Sequence, residues 1–182
     1  MIAAGPAALD AEAISRCIRR MAHEIAEHNS RADNLALIGI VRRGACLAQR
    51  LAGLLRQNGG GEVTVGTLDI SSYRDDGRGR PGDPRLLGRD LPFELEGRRV
   101  VLVDDVIYTG RTVRAALTAL ADQGRPEAIE LAVLVDRGQR ELPIRADYIG
   151  RNIHAPRDRR VYVRLAEVDG IDAVLIGDGS SL

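Results

Sequence analysis

The chain of 182 residues has no lysine, no tryptophan and a single phenylalanine. Aromatic residues make up only 3% of it, so any core must be aliphatic. All 26 basic residues are arginine. A guanidinium keeps its proton and grips phosphate or carboxylate through two parallel hydrogen bonds, which suits an anionic ligand; codon usage in a GC-rich genome would give the same bias. The formal net charge is zero. That excludes binding to nucleic acid by overall charge and leaves only a local patch for the purpose. Just two cysteines occur, Cys17 and Cys46, without a C-x-x-C pair, so neither a disulfide framework nor a zinc site is expected. The longest apolar run, residues 35–41, is too short to cross a bilayer. Met1-Ile2-Ala3-Ala4-Gly5-Pro6 lacks the basic-then-apolar pattern of a secretory leader. A cytoplasmic protein is expected. Two common nucleotide-binding loops are missing as well, G-x-x-x-x-G-K-[ST] and a helix-opening G-x-G-x-x-G.

What is present reads as one α/β domain over residues 1–182, with loose termini at about 1–8 and 179–182. A helix is expected over 8–28, with Ile14, Cys17, Ile18, Met21 and Ile25 on its apolar face. A buried strand follows at 35–41, and Arg42-Arg43-Gly44 breaks it. A helix over 45–57 ends at Gly59-Gly60-Gly61. Further strands fall at 63–70, 99–103 and 129–135, with shorter ones near Tyr148, 161–165 and 174–176. A helix carrying Val113, Ala116, Leu117, Leu120 and Ala121 fills the gap after 103. This alternation predicts a mainly parallel central sheet flanked by helices. Residues 72–90, with five Arg and four Asp and no periodicity, read as a long mobile loop or a hairpin; such loops are usually functional.

The chemistry concentrates in Val103-Asp104-Asp105-Val106-Ile107-Tyr108-Thr109-Gly110-Arg111-Thr112, where a strand gives way to a helix. The carboxyl end of a strand is the usual ligand site of an open α/β sheet. Asp104 and Asp105 offer acceptors for adjacent hydroxyls, as on a ribose. Thr109, Gly110, Arg111 and Thr112 offer hydroxyls and approachable N–H groups at a helix N-terminus, where the helix dipole favours an anion. One Asp or one Thr would be an ordinary helix cap; the combination can hold a ribose 5-phosphate.

This segment resembles the phosphoribosyl pyrophosphate signature of type I phosphoribosyltransferases. Its longer form, Asp104 through Ala115, resembles the PyrR family of pyrimidine-operon regulators with uracil phosphoribosyltransferase activity. So do Ser72-Tyr73-Arg74-Asp75-Asp76 and residues 134–150, and the likeness runs from about 10 to 176. The resemblance implies a type I phosphoribosyltransferase fold with a flexible loop and a small hood. It implies that uracil and phosphoribosyl pyrophosphate give UMP and pyrophosphate with Mg2+. Asp104 and Asp105 would bind the ribose hydroxyls and meet the metal directly or through water. Val106, Ile107 and Tyr108 would line the nucleotide site, with Asp104, Asp105 and Tyr108 among the catalytic residues, and Thr109 to Thr112 would hold the 5-phosphate. Arg42, Arg43 and Gly44 match the pyrophosphate loop, although the family pattern there has Thr-Arg-Gly. Tyr73, Arg74, Asp75 and Asp76 would close over the site, with Arg74 in a catalytic role, and Arg137 would belong to the hood over the base. Purine enzymes commonly place Asp where Tyr108 stands, which favours a pyrimidine; packing or a backbone hydrogen bond is the other reading of Tyr108. A phosphoribosyltransferase for another base, such as a purine, without RNA binding is the alternative.

The same family binds pyrimidine-operon leader mRNA in the presence of UMP or UTP, regulating transcription by attenuation. Arg16, Arg19, Arg20 and His23 stand at i, i+3, i+4 and i+7, one helix face opposite the apolar one. That stripe would contact RNA phosphates or stack on splayed bases, or would be a solvated face beside Glu24 and Glu27. Two departures from the family pattern are Gln139, where His is usual, and His154 to Arg160, basic but stripped of hydroxyls. A homodimer or homohexamer is implied by the resemblance.

Overall fold

Asp10 starts the first helix, its Oδ1 accepting from the Ala13 N–H at 2.8 Å, and α1 (Ala11–His28) buries Ile14, Ile18, Met21, Ala22 and Ile25 at helical spacing. The computed structural model describes residues 7–29, 34–58, 62–71 and 89–178. The expected covering loop with Ser72, Tyr73, Arg74, Asp75 and Asp76 lies outside them, as do Gly59-Gly60-Gly61 and the termini at 1–6 and 179–182. Ala8 is hydrogen-bonded, its N–H donating to the Val174 carbonyl at 2.7 Å.

After α1 come β1 (Leu35–Ile40), α2 (Arg43–Gln57), β2 (Thr64–Leu68), β3 (Arg89–Asp90), β4 (Arg99–Ile107), α3 (Arg111–Ala121), β5 (Ala128–Asp136), β6 (Tyr148–Asn152), β7 (Arg159–Arg164), α4 (Ala166–Asp169) and β8 (Ala173–Asp178). The main sheet has the order β3-β2-β1-β4-β5-β6. All its pairings are parallel except β2 with the short edge strand β3. β7 and β8 form a separate antiparallel pair.

Strand alternation sorts the core into two layers. Leu35 and Leu37 of β1 and Val101 and Val103 of β4 pack with α1 and α2. Ile38, Ile40, Val100 and Leu102 face the other way, onto α3 through Val113, Ala116 and Leu120. The aliphatic core expected from the shortage of aromatics is what forms. No helix among the described residues is long and apolar enough to cross a membrane.

At the amino end of the strands, away from the loops discussed below, a polar cluster ties α1 to the sheet. The buried Glu130 carboxylate accepts from the Tyr148 hydroxyl at 2.6 Å, Asn29 Nδ2 at 3.0 Å and the Arg99 guanidinium at 2.8 Å. Burial pushes the Glu130 carboxyl up, but the hydrogen bonds from Asn29, Tyr148 and Arg99 outweigh it and leave the group below the usual carboxylate range. A depressed carboxyl stabilises the fold above its ordinary pKa, and that contribution fades as pH falls through the depressed value. Tyr148→Phe removes a donor from a buried charge and should cost about 1–3 kcal/mol, or roughly 2–4 °C in Tm for each kcal/mol. Thermal melts at neutral pH should show the full loss. The gap between variant and wild type should narrow once acid neutralises Glu130.

Candidate functional site

Chain order makes the site. From β1 the chain runs through α2 to β2 on one side, and from β4 it runs through α3 to β5 on the other. The carboxyl ends of β1 and β4 therefore lie side by side while their following segments diverge, and this switch point is where open α/β sheets bind ligands.

The acidic pair stands on the β4 side. It was expected just beyond a strand ending at 103, but β4 continues to Ile107, because β5 runs alongside far enough to pair Asp104 with Val133 and Ile107 with Asp136. Asp104 is buried, and its Oδ1 accepts from the Asp105 N–H at 2.9 Å. Asp105 Oδ1 in turn accepts from the Val106 N–H at 2.9 Å. Burial raises the Asp105 carboxyl above the usual range, against the smaller pull of a hydrogen bond with Asp104 and of the Arg43 charge. Val106 is half-buried and Ile107 buried.

The β1 side is built on glycine. A Cβ on Gly44 would lie 2.4 Å from the Val103 carbonyl oxygen and 3.2 Å from Asp104 Cα, and one on Gly39 would lie 2.4 Å from Ala45 Cα. Without side chains there, the start of α2 rests directly on β4 beside the acidic pair. The Val41–Arg42 peptide is cis. Arg42 is exposed, whereas the Arg43 side chain turns to the carboxylate of Asp169 on α4, Nε to Oδ2 at 3.0 Å and NH2 to Oδ1 at 2.7 Å.

Past β4, Gly110 adopts φ 94°, a left-handed conformation that suits glycine, and caps α3 without a side-chain hydrogen bond. Thr109 Oγ1 accepts from the Arg111 N–H at a long 3.4 Å, and Thr112 is half-buried in the first turn. Hydroxyls and helix N–H groups thus gather at this turn, as expected. The segment after β5 is strapped onto it. The N–H groups of Glu141 and Leu142 donate to the Thr109 carbonyl at 2.9 and 3.2 Å, Arg140 donates to the Tyr108 carbonyl at 3.0 Å, and Arg111 pairs with Glu141 at 2.7 Å.

Arg137 is buried with its guanidinium 4.0 Å from the centre of the Tyr108 ring, and it donates to the carbonyls of Pro156 and Arg159 at 2.8 and 2.5 Å. It therefore joins the signature segment to the start of β7, and Tyr108 packs against it. Gln139 is left-handed, at φ 58°, and reaches the Ala155 carbonyl at 3.1 Å.

The four residues of the basic stripe are all exposed on α1. Arg16 pairs with Glu12, Arg19 donates to Ser15 Oγ at 2.9 Å, and Arg20 pairs with Glu24. Arg20 also donates to the Ile149 and Gly150 carbonyls at 2.8 and 2.7 Å, latching α1 to β6. It serves the fold at least as directly as any surface contact.

Asp136 and Arg140, which pair at 2.6 Å, lie in the 134–150 segment that carried the family resemblance, whereas Asp169 was not anticipated from sequence. The signal for Asp169 was present: Arg43 and Arg50 are seven apart on one face of α2, and Glu167, Asp169 and Asp172 give a matching acidic run.

Comparison with known proteins gives the family and the fold. The family model described as "Phosphoribosyl transferase domain" matches residues 7–162. A "Bifunctional protein PyrR" from Roseiflexus sp. is 57% identical over 169 residues, which covers 92% of each chain. Proteins of the same name from Deinococcus radiodurans (54% identical; 96% of this chain, 95% of the relative) and Bacillus subtilis (52%; 92% and 94%) are similar to it as well. Among solved structures, a hypoxanthine phosphoribosyltransferase of Trypanosoma cruzi shares the fold at TM-score 0.76 with 21% identity, covering 98% of this chain and 97% of that one. A hypoxanthine phosphoribosyltransferase from Staphylococcus aureus does so at TM-score 0.72 with 19% identity, covering 94% and 92%.

Proposed function

Because the chain belongs to the PyrR family and has the type I phosphoribosyltransferase fold, we propose that it makes UMP and pyrophosphate from uracil and phosphoribosyl pyrophosphate, and binds pyrimidine-operon leader RNA when a uridine nucleotide fills that site. One observation carries the catalytic half: the acidic pair of β4, the glycine-seated start of α2 and the Thr-Gly-Arg-Thr turn of α3 meet at the switch point of the sheet.

In this reading Asp104 and Asp105 accept hydrogen bonds from the ribose hydroxyls. The 5-phosphate sits against the hydroxyls of Thr109 and Thr112 and the first N–H groups of α3, which are aimed at an anion by the fold rather than by the ligand. In the reaction the bond from ribose C1 to the pyrophosphate oxygen breaks and a bond from C1 to the uracil nitrogen forms, with positive character on the ribose and growing negative charge on the leaving group. The residues fit Mg2+ as it is usually held, by one or two carboxylates together with substrate oxygens. Asp104 and Asp105 are that acidic pair, and no cluster of three metal-ligating side chains exists among the described residues. Bound there, the ion would neutralise charge on the pyrophosphate. Arg74, outside the described residues, keeps the catalytic role that the family resemblance implies. Tyr108, stacked under Arg137, is given to shaping the base pocket rather than to moving a proton.

The purine neighbours share 18–21% identity and speak for the fold, whereas the PyrR relatives share over 50%. Pyrophosphate release measured with a panel of bases separates the two. Turnover is expected with uracil; a signal only with guanine or hypoxanthine would sink this reading.

For the RNA half, Arg16, Arg19 and His23 are the residues of α1 that remain after Arg20 is assigned to the β6 latch. Arg16→Ala and Arg19→Ala should each weaken leader RNA roughly equally across sequences and lower the salt-dependence slope by about 0.7–0.9. Arg20→Ala should lower Tm in addition. Filter binding with and without UMP checks this, and equal affinity in both conditions contradicts a nucleotide-dependent regulator. The same reading gives a cytoplasmic protein, consistent with two free cysteines, and a homodimer or homohexamer, which light scattering resolves.

A further inference from the structure

The two arginines that open α2 have different surroundings. Arg43 is held at two points by Asp169, whose Oδ2 also accepts from the Leu165 N–H at 2.9 Å, so the carboxylate is itself fixed to the α4 turn. The hydrogen bond from Arg43 comes first among the causes that hold the Asp169 carboxyl below its usual range, and the pair is partly withdrawn from water, with Arg43 36% and Asp169 17% exposed. One helical repeat further on, Arg50 grips both Glu167 and Asp172 through four contacts between 2.6 and 2.8 Å. α2 is thereby clamped to the segment between β7 and β8, and the first clamp closes on the residue before Gly44. The Arg42 side chain is exposed and has no hydrogen-bond or ion-pair partner among the described residues.

A guanidinium held in bidentate fashion has the donors of that edge engaged, and turning them to a ligand would leave a carboxylate unpaired. We propose that Asp169 is a positioning residue that engages the donors of Arg43 to fix the loop at 41–44, and that Arg42, where the family pattern has Thr, is the side chain whose free donors this chain offers to the pyrophosphate. This rests on the phosphoribosyl pyrophosphate reading and divides the work within that site. Arg43 shapes the loop, and Arg42 meets the anion.

The sign of one substitution tests it. If Arg43 were a ligand restrained by Asp169, Asp169→Asn would free it and tighten phosphoribosyl pyrophosphate. If Asp169 positions the loop, the same change weakens it. Calorimetric titration of the full chain with phosphoribosyl pyrophosphate and Mg2+, and separately with UMP, distinguishes the two, since UMP has no pyrophosphate. Asp169→Asn and Arg42→Thr are each expected to weaken phosphoribosyl pyrophosphate roughly tenfold, the loss of about one charge-assisted hydrogen bond, and to leave UMP within about twofold of wild type. Unchanged or tighter binding in Asp169→Asn, unchanged binding in Arg42→Thr, or an equal loss for UMP overturns the proposal. Arg42 is exposed, so Arg42→Thr remains decisive even if Asp169→Asn folds poorly. Wild-type protein that binds UMP but no phosphoribosyl pyrophosphate would instead defeat the functional reading itself, and the proposal with it.

Discussion

A protein carrying Asp104→Asn and Asp105→Asn is expected to lose about two to four powers of ten in turnover while keeping its fold. Each carboxylate, in the proposed site, makes a charge-assisted hydrogen bond to a ribose hydroxyl worth about 1.5–3 kcal/mol, and each 1.36 kcal/mol is a factor of ten in rate. The fold is spared for a specific reason. Burial already holds the Asp105 carboxyl above its usual range, so the folded state favours its neutral form. The unfolded chain loses that proton more readily, so Asp105 destabilises the fold as pH rises past its ordinary pKa, and a neutral Asn removes that penalty. Asn Oδ1 can also accept the backbone N–H groups of Asp105 and Val106, which the two carboxylates now accept. Steady-state rates beside a thermal melt make the check. Turnover within tenfold of wild type would count against the ribose assignment, and a collapse of Tm would mean that the pair serves the fold.

Gly44→Ala should cut turnover roughly a hundredfold and lower stability by about 1–3 kcal/mol, although helix propensity alone predicts a gain of about 1 kcal/mol. Gly44 lies in α2, where alanine is the better residue in isolation. The added methyl would meet the Val103 carbonyl oxygen at 2.4 Å, and that atom is backbone in the middle of the sheet, so the helix must retreat. Retreat carries Arg42 and the loop away from the acidic pair. Gly53, in the same helix with open space around its Cβ position, is the control: Gly53→Ala should gain up to about 1 kcal/mol and leave the rate alone. Opposite signs for two identical substitutions in one helix would separate local propensity from tertiary contact. A stabilised, fully active Gly44→Ala would show that α2 does not need its close seat on β4.

Much of the architecture was legible because it is written in local period. Ile14, Ile18, Met21 and Ile25 recur at helical spacing, and 35–40 and 100–103 are runs without a polar side chain; both patterns follow from how side chains project from a helix or from a strand buried on both faces. The signature segment was legible for a similar reason, since strand, acidic pair, hydroxyl-rich turn and helix are consecutive in the chain. The end of β4 was less so. An acidic pair resembles the start of a loop, and only the neighbouring β5 keeps those residues in the ladder.

The sequence by itself determined the alternating α/β order, the aliphatic core and a segment able to hold a ribose phosphate, because each depends on residues within a few positions of one another. Tertiary structure alone decided that Arg43 is held by Asp169 across 126 positions, that Arg20 latches α1 to β6 across 129 or more, and that Arg137 lies over Tyr108. An arginine pairs with whichever acceptor the fold brings within about 3 Å, and with 26 arginines facing 26 acidic residues, composition leaves that choice open.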